Sequence, residues 1–560
     1  MQIIECVPNF SEGRDMAKMK EITDAIAAVP GVKLLDVDPG KATNRTVVTI
    51  VGEPENVIEG AFQGIKKAME VIDMSKHSGE HPRMGATDVC PFIPIANITM
   101  EETAKFAHQL AKRVGEELDL PIYMYESAAT STERKNLATI RAGEYEGFGE
   151  KIKTSQWKPD YGPSIQSVKS GVTAIGARDF LVAYNVNLNT SSVRRANSIA
   201  FDVRENGRVK REGNPITGKV VNDDQGNPLR EPGMCPSVKA IGWFIEEYNL
   251  AQISMNLTDL SKTSLHEAFE ACRTSANDRG LRVTGSELVG LVPLNVLLDA
   301  GKYFLRKQQR STGISEREIL HIAVKSLGLD ELAPFDLDQK VIEYKMNDDS
   351  QAALANMKLN DFANMTASEN PAPGGGSISA YVGALGASLG AMVGNLSAHK
   401  RGWDDRWEFY SDWAVKGQDI KAKLLKLVDE DTLAFNQIMD AIRLPKKTEE
   451  DKATRKQAML DATKNAIQTP LDIMRVSFQS YELLEAMANQ GLKASISDAG
   501  VGTLCTRTAI EGAMMNVKIN LSGFEDAKYK EEVLAEANKI QADSFQKAKE
   551  IIAIVEQHIS

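Results

Sequence analysis

Cysteine is scarce in this 560-residue chain. The five residues, Cys6, Cys90, Cys235, Cys272 and Cys505, are odd in number, widely spread and never form a C-x-x-C pair. That argues against a disulfide framework or a cysteine-rich zinc site and suits a reducing compartment, the cytoplasm. A surplus of positive charge is also missing. Sixty-six Lys and Arg against 77 Asp and Glu give a formal net charge of −11, whereas nucleic acid needs a basic footprint, so no nucleic-acid partner is expected. Any anionic ligand must then be met by local charge. Arg194–Arg195, His399–Lys400–Arg401 and Lys446–Lys447 are the visible basic clusters, and each reads first as a solvated face. The first ten residues lack the basic start and apolar run of a secretory signal. One uncharged stretch, residues 378–398, is long enough to cross a bilayer. Gly383, Gly386, Gly390 and Gly394 leave it few large side chains, a spacing that suits close helix packing, so no membrane span is expected. With 42% apolar and 26% charged residues there is no disordered or fibrous bias, and the length calls for two to four domains.

The first third alternates strand and helix signals: strands at 3–7, 32–38, 45–51, 89–95 and 122–125, and helices at 15–29, 53–72 and 101–118. This βαββαβ-like order predicts a split-βαβ, ferredoxin-like sheet covered by helices, assigned to residues 1–180. A second α+β subdomain follows at 181–334, with strands at 180–188, 240–244, 251–257 and 282–289 and helices at 192–203 and 264–279. Its polar stretch 213–236 reads as a surface excursion. Residues 335–350 read as a linker, and from 351 to 560 the strand signal disappears, which predicts an all-α helical bundle. The fold class is therefore multidomain: two α+β ferredoxin-like subdomains followed by a helical bundle.

Histidine is equally sparse, seven residues in all, yet two stand in one pentad, His77-Ser78-Gly79-Glu80-His81. It fits H-x-x-E-H, a zinc-peptidase pattern that works only when a helix sets both imidazoles on one face. Gly79 within the pentad and Pro82 directly after it oppose a continuing helix. No obvious third ligand is offered elsewhere, so no metal is expected. His81 can otherwise be a loop residue of no special role or a general acid/base. For the latter, the loop is stiffened by Gly79, Pro82 and Gly85, and sites concentrate on loops held by scaffolds. Glu80, Arg83 and Asp88 could orient the ring and tune a pKa already near neutral.

Longer signals surround the pentad: ECVPNFSEG (5–13), Asp36-Val37-Asp38, Asn44-Arg45-Thr46, HSGEHPRMGATDVCPFIPI (77–95), RAGEYE (141–146) and SELVGLVP (286–293). Together they resemble the formiminotransferase family over the first 300 residues. The resemblance implies transfer of a formimino group from N-formimino-L-glutamate to the N5 nitrogen of tetrahydrofolate, a co-substrate, with release of glutamate. It implies that His81 is the catalytic acid/base, since the attacking amine must lose a proton and the departing nitrogen gain one. It also puts Asp38 at the folate pocket. A folate-binding segment would comprise Gly162, Pro163, Ser164, Ile165, Gln166, Ser167, Val168, Lys169, Ser170 and Gly171, which from sequence alone is equally a plain linker.

In the helical third, a wheel at about 100° per residue places Leu424, Leu427, Val428, Phe435, Ile438 and Ile442 on one apolar stripe. Asp431 lies near its middle, whereas Asp429 and Glu430 point away. A carboxylate turned inward needs a partner, and burial raises its pKa toward the range useful for proton transfer. A structural, paired Asp is the alternative. Upstream, Pro371-Ala372-Pro373-Gly374-Gly375-Gly376-Ser377 precedes a helix whose N–H groups could approach an anion. It lacks the Lys-Ser/Thr of a nucleotide loop, and an ordinary N-cap is the plainer alternative. The two motifs resemble the formimino-tetrahydrofolate cyclodeaminase family. That likeness implies ring closure to 5,10-methenyl-tetrahydrofolate with loss of ammonia, Asp431 as the proton shuttle, and Gly374, Gly375 and Gly376 at the folate site. It further implies polyglutamate-tailed folates as ligands and homo-oligomers, with helix 378–398 as a possible interface.

Overall fold

The computed structural model describes residues 2–213, 217–346 and 354–559. The expected boundary at 350/351 and residues 214–216 of the polar excursion lie outside the described residues. The chain divides into two compact units, residues 1–300 with 323–346, and 301–322 with 347–560.

The first unit opens with β1 (Ile3–Cys6), β2 (Asn9–Phe10), α1 (Met16–Ala27), β3 (Val32–Gly40), β4 (Arg45–Gly52), α2 (Pro54–Val71), β5 (Thr87–Ala96), α3 (Met100–Glu117), β6 (Ile122–Glu126), α4 (Leu137–Arg141), α5 (Glu144–Lys151) and β7 (Thr173–Ala177). Helix starts follow local chemistry. Asp15 accepts from the backbone of Ala17 and Lys18 at α1, and Thr99 with Glu102 forms a reciprocal capping box at α3. β1 and β2 are one strand interrupted at Pro8, which has no N–H to give the ladder. The sheet runs β3, β4, β1/β2, β5, β7, β6. The first four are antiparallel in the expected split-βαβ order, and β7 and β6 extend β5 in parallel. Ile4, Cys6, Phe10, Ile50, Cys90 and Phe92 bury one face of this sheet against α1, α2 and α3. Strand alternation sends Glu5, Asn9, Asp36, Asp38, Arg45 and Val47 to the opposite face. Ile140 of α4 and Phe148 of α5 cover the β5–β7–β6 part of that face, and Ile342 packs on Leu35 and Val51. A polar band is left between these two patches.

The second subdomain repeats the topology: β8 (Val182–Leu188), α6 (Val193–Val203), β13 (Val238–Ile245), β14 (Leu250–Leu257), α7 (Leu265–Asn277) and β15 (Val283–Val289), in sheet order β13, β14, β8, β15. Between α6 and β13, four two-residue strands, β9 (Arg208–Val209), β10 (Arg211–Glu212), β11 (Lys219–Val220) and β12 (Arg230–Glu231), pair as two short ladders. Helices α8 (Leu294–Lys307) and α9 (Glu316–Leu327) run across the division between the units. Part of the expected linker is structured: α10 (Leu337–Lys340) and α11 (Ile342–Met346) belong to the first unit, where Val341 bridges Val292.

From residue 354 on, the described residues are helical or coil: α12 (Leu359–Thr366), α13 (Gly375–Ala398), α14 (Trp407–Arg443), α15 (Glu449–Phe478), α16 (Ser480–Gln490), α17 (Ile496–Leu521) and α18 (Ala527–Ile559). α13 is long and apolar enough to cross a membrane by length and composition alone. Its glycines show why it carries so little bulk. A Cβ on Gly383 would stand 2.7 Å from Ser477 of α15, on Gly386 2.8 Å from the Gly502 carbonyl of α17, on Gly390 2.7 Å from Leu483 of α16, and on Gly394 3.1 Å from the Tyr410 carbonyl of α14. Four neighbouring helices crowd these glycines, two of them with backbone carbonyls, so the glycine face of α13 packs in the bundle core while Leu385, Met392 and Leu396 are exposed.

Candidate active sites

His81 lies in a loop after a single 3-10 turn (Met74–Lys76), and the pentad is not helical, so the geometry of the zinc-peptidase pattern is not met. His77 has both ring nitrogens engaged: Nε2 donates to the Asn44 carbonyl (2.9 Å), and Nδ1 accepts from Arg83 Nε (3.3 Å). Among the described residues, no group of three or more His, Cys, Asp and Glu side chains could hold a metal ion. The loop is held at its glycines. A Cβ on Gly79 would meet the Thr43 carbonyl at 2.3 Å, and Asn44, itself at φ 47°, accepts from Gly13 N and donates to the Ser78 carbonyl. Arg83 does not orient His81, as its place in the sequence suggested. Its guanidinium pairs with Glu144 (3.0 Å) and Glu146 (2.6 Å) at the start of α5. Glu80 is exposed and Asp88 alone of the three expected neighbours acts on the ring.

The half-buried His81 ring is in a defined tautomer. Nδ1 stands 2.7 Å from the Pro82 carbonyl, which can only accept, so Nδ1 carries the proton and Nε2 keeps its lone pair. Burial first, then the charges of Arg45 and Arg141, push its pKa down to about 3. Those arginines converge on Asp88. The pairing shifts by one residue there (Asn9 opposite Val89, Phe10 opposite Thr87), a bulge of the kind that re-aims a side chain. The Asp88 carboxylate pairs with Arg45 and with Arg141 (2.7 Å) and accepts from Met84 N (3.0 Å). Burial would raise this carboxyl, but the two guanidinium groups outweigh it and hold it at about 2. Arg45 also donates to Asn9 (3.0 Å).

In the second unit, Asp431 of α14 meets the start of α13. Ser377 donates to Asp431 Oδ2 from its backbone N (2.8 Å) and its hydroxyl (3.0 Å). The anion that the glycine run receives is thus a carboxylate of the same chain. Gly376 has to be glycine for this, since a Cβ there would stand 2.1 Å from Asp431 Oδ1. Burial raises the Asp431 pKa, and the bonds from Ser377 only partly oppose that. The helical wheel misplaces Asp429, which does not point away. It is only 8% exposed and accepts from Leu354 N (2.8 Å) and Ala355 N (3.2 Å). Phe435 and Ile442, assigned to the buried stripe, are 39% and 45% exposed, because the C-terminal half of this 37-residue helix is little covered.

Comparison with known proteins gives the context. Residues 3–178 match the model of the formiminotransferase domain, N-terminal subdomain; residues 183–347 match that of the formiminotransferase domain; residues 358–539 match that of formiminotransferase-cyclodeaminase. The formimidoyltransferase-cyclodeaminase of Dictyostelium discoideum is 42% identical over 557 residues, 99% of each chain. The chain belongs to the formimidoyltransferase-cyclodeaminase family. Single-name relatives match parts of it. The glutamate formimidoyltransferase of Thermoplasma acidophilum is 44% identical over 55% of this chain and 93% of its own. The methenyltetrahydrofolate cyclohydrolase of Methylorubrum extorquens is 34% identical over 34% of this chain and 91% of its own.

The other residues singled out from the family likeness fall as follows. Asp38 shares a sheet row with Asn9, both opposite Val47, and accepts from Gly290 N (2.6 Å), tying the two subdomains together. In segment 162–171, Gly162 is required for packing, since a Cβ would meet the Leu120 carbonyl at 2.2 Å. Ser170 accepts from Ala86 N through its carbonyl, and Gly171 bridges Gly85, so the segment's end is fastened to the loop after His81. Gln166 and Lys169 are tied to the Tyr145 and Glu70 carbonyls, while Pro163 is half-buried and Ser164, Ile165 and Val168 are exposed. Ser167 accepts from Ser170 N. A cavity of about 600 Å³ lined by Thr130, Glu133, Arg134, Trp157 and Asp160 includes none of the residues singled out, and Arg134 and Asp160 pair with each other (2.6 Å). Sequence reasoning missed Arg45, Arg141 and Ser377 as site residues, although all three stand in motifs it had marked.

Proposed function

We propose that the two units catalyse successive folate reactions at His81 and at Asp431. The first transfers the formimino group of N-formimino-L-glutamate to N5 of tetrahydrofolate. N5 attacks the amidine carbon, His81 Nε2 takes the N5 proton, and the same nitrogen returns it to the glutamate nitrogen as that C–N bond breaks. The observation that carries this reading is the Nδ1–H···O=C bond to Pro82, which leaves Nε2 as a base. In the second reaction, N10 attacks the formimino carbon. The Asp431 carboxyl moves a proton to the departing nitrogen, which leaves as ammonia, and 5,10-methenyl-tetrahydrofolate remains. Burial of that carboxyl against Ser377 supports a role that needs its protonated form near neutral pH.

Asp38, the segment 162–171 and Gly374–Gly376 are the folate contacts in this reading. The same reading takes the folate's polyglutamate tail as a ligand and needs no metal. It also takes the protein to be a homo-oligomer in the cytoplasm without a membrane span, with α13, whose Leu385, Met392 and Leu396 are exposed, as an interface; the few, widely spread cysteines of the sequence support a reducing compartment. Sedimentation and fractionation test those two points. For the chemistry, His81→Ala should abolish transfer and spare ring closure of supplied 5-formimino-tetrahydrofolate, and Asp431→Ala should do the reverse. Retention of either reaction by its own variant removes that assignment.

A further inference from the structure

The cluster beside His81 carries a charge that its own members do not cancel. Two guanidinium groups, Arg45 and Arg141, share the single carboxylate of Asp88, and His81 is held neutral beside them. Arg45 is buried, with Nε given to Asn9 and Nη1 to Asp88. Arg141 differs: its side chain is 14% exposed, Nη2 donates to Asp88, and its buried Nε has no hydrogen-bond partner among the described residues. A buried donor without an acceptor costs free energy that natural sites rarely leave in place without a use. Nearby cations are committed. Arg83 is used up by Glu144, Glu146 and His77, and Lys151 donates to three carbonyls, those of Thr139, Ile140 and Ala142. Lys151 thereby fastens the end of α4, the helix that presents Arg141.

We propose that Arg141, with Arg45 behind it, receives the α-carboxylate of the formimino donor and so sets the donor's amidine nitrogen at His81. The inference rests on the reading of His81 as the acid/base. The chemistry of the donor fits the placing of Arg141 close enough to act on the His81 ring, because the α-carboxylate and the reacting nitrogen are bonded to the same carbon. A guanidinium that grips one must therefore stand next to the group that handles protons on the other. A planar fork with spare donors suits a carboxylate, and the bound anion would cancel the positive charge that depresses the imidazole.

The test compares two donors in the same assay, N-formimino-L-glutamate and N-formimino-4-aminobutyrate, which lacks only the α-carboxylate. The native protein should prefer the first in kcat/KM by roughly ten- to a hundredfold, the range of one charged hydrogen bond. Arg141→Gln should shrink the preference to within about threefold, with Arg141→Lys in between. Because the preference is a ratio within one sample, partial unfolding cannot mimic its loss. An Arg141→Gln variant that slows both donors equally and keeps the native preference overturns the proposal. His81→Ala separates the two readings. Calorimetric binding to that variant should retain the donor preference while turnover is lost, whereas retained turnover would sink the His81 assignment without touching the Arg141 result.

Discussion

A neutral imidazole between two guanidinium groups behaves differently from a free histidine. With its pKa near 3 instead of 6.5, His81 keeps the same protonation state across the range in which most histidines titrate. The acid limb of kcat/KM for transfer, which reports the free enzyme, should therefore not break near pH 6.5. A stability consequence follows. Between about 3 and 6.5 the unfolded chain binds a proton at this position and the folded one does not, so the contribution is lost as pH falls through that window. Asp88, held at about 2 against an ordinary 3.8, adds stability that is present above 3.8 and lost as pH falls toward 2. Both signs agree. Glu5 of the same unit, pushed up to about 7 by burial, has the opposite sign, so the His81 contribution is read as a difference: between pH 7 and pH 4 in scanning calorimetry, His81→Ala should lose less melting temperature than the native protein. Asp431 has the opposite sign. Its raised pKa means that the folded state holds a proton the unfolded state releases, a cost to folding above the ordinary carboxyl value. Asp431→Asn keeps an acceptor for Ser377 and removes that cost. It should leave Tm at pH 7 unchanged or higher while ring closure disappears; a destabilisation beyond ~1 kcal/mol would contradict this.

Elements set these side chains by backbone approach. Gly376→Ala places a methyl where the Asp431 carboxylate stands, and a side chain moves more cheaply than a helix. The expected outcome is near-native stability with cyclodeamination lost and transfer retained, read by assaying each reaction on the same preparation. Gly79→Ala meets the Thr43 carbonyl, which is backbone, so it should cost about 1–3 kcal/mol in chemical denaturation as well as transfer activity. Much of this scale was legible in the sequence. The alternation of β3, the β-branched run of β4 and the order of strand and helix signals announced the ferredoxin-like core. β7 was not, because Thr-Ala-Ile-Gly-Ala is short, made of small residues and buried on both faces, with no alternation to see. α4 and α5 have five and eight residues, too few for helical periodicity to emerge. The wheel on α14 failed at Asp429, Phe435 and Ile442 because one angle cannot describe a helix that is covered at one end and bare at the other.

At the scale of the whole molecule, each unit holds one of the two proposed proton-handling groups, and among the described residues Pro82 beside His81 and Ser377 beside Asp431 each belong to the same unit as the group they hold. His81 could be nominated from a stiffened loop. Arg141 could not, since it stands 53 residues from Asp88 and only the fold joins them. Likewise Ser377 and Asp431 were marked as two separate signals and are one site. The most direct measurement is the ¹⁵N chemical shift of the His81 ring, assigned by comparison with His81→Ala. The account predicts a protonated Nδ1 and a bare Nε2 from pH 5 to 8, without titration. A ring that titrates near pH 6.5, or that carries its proton on Nε2, would contradict it.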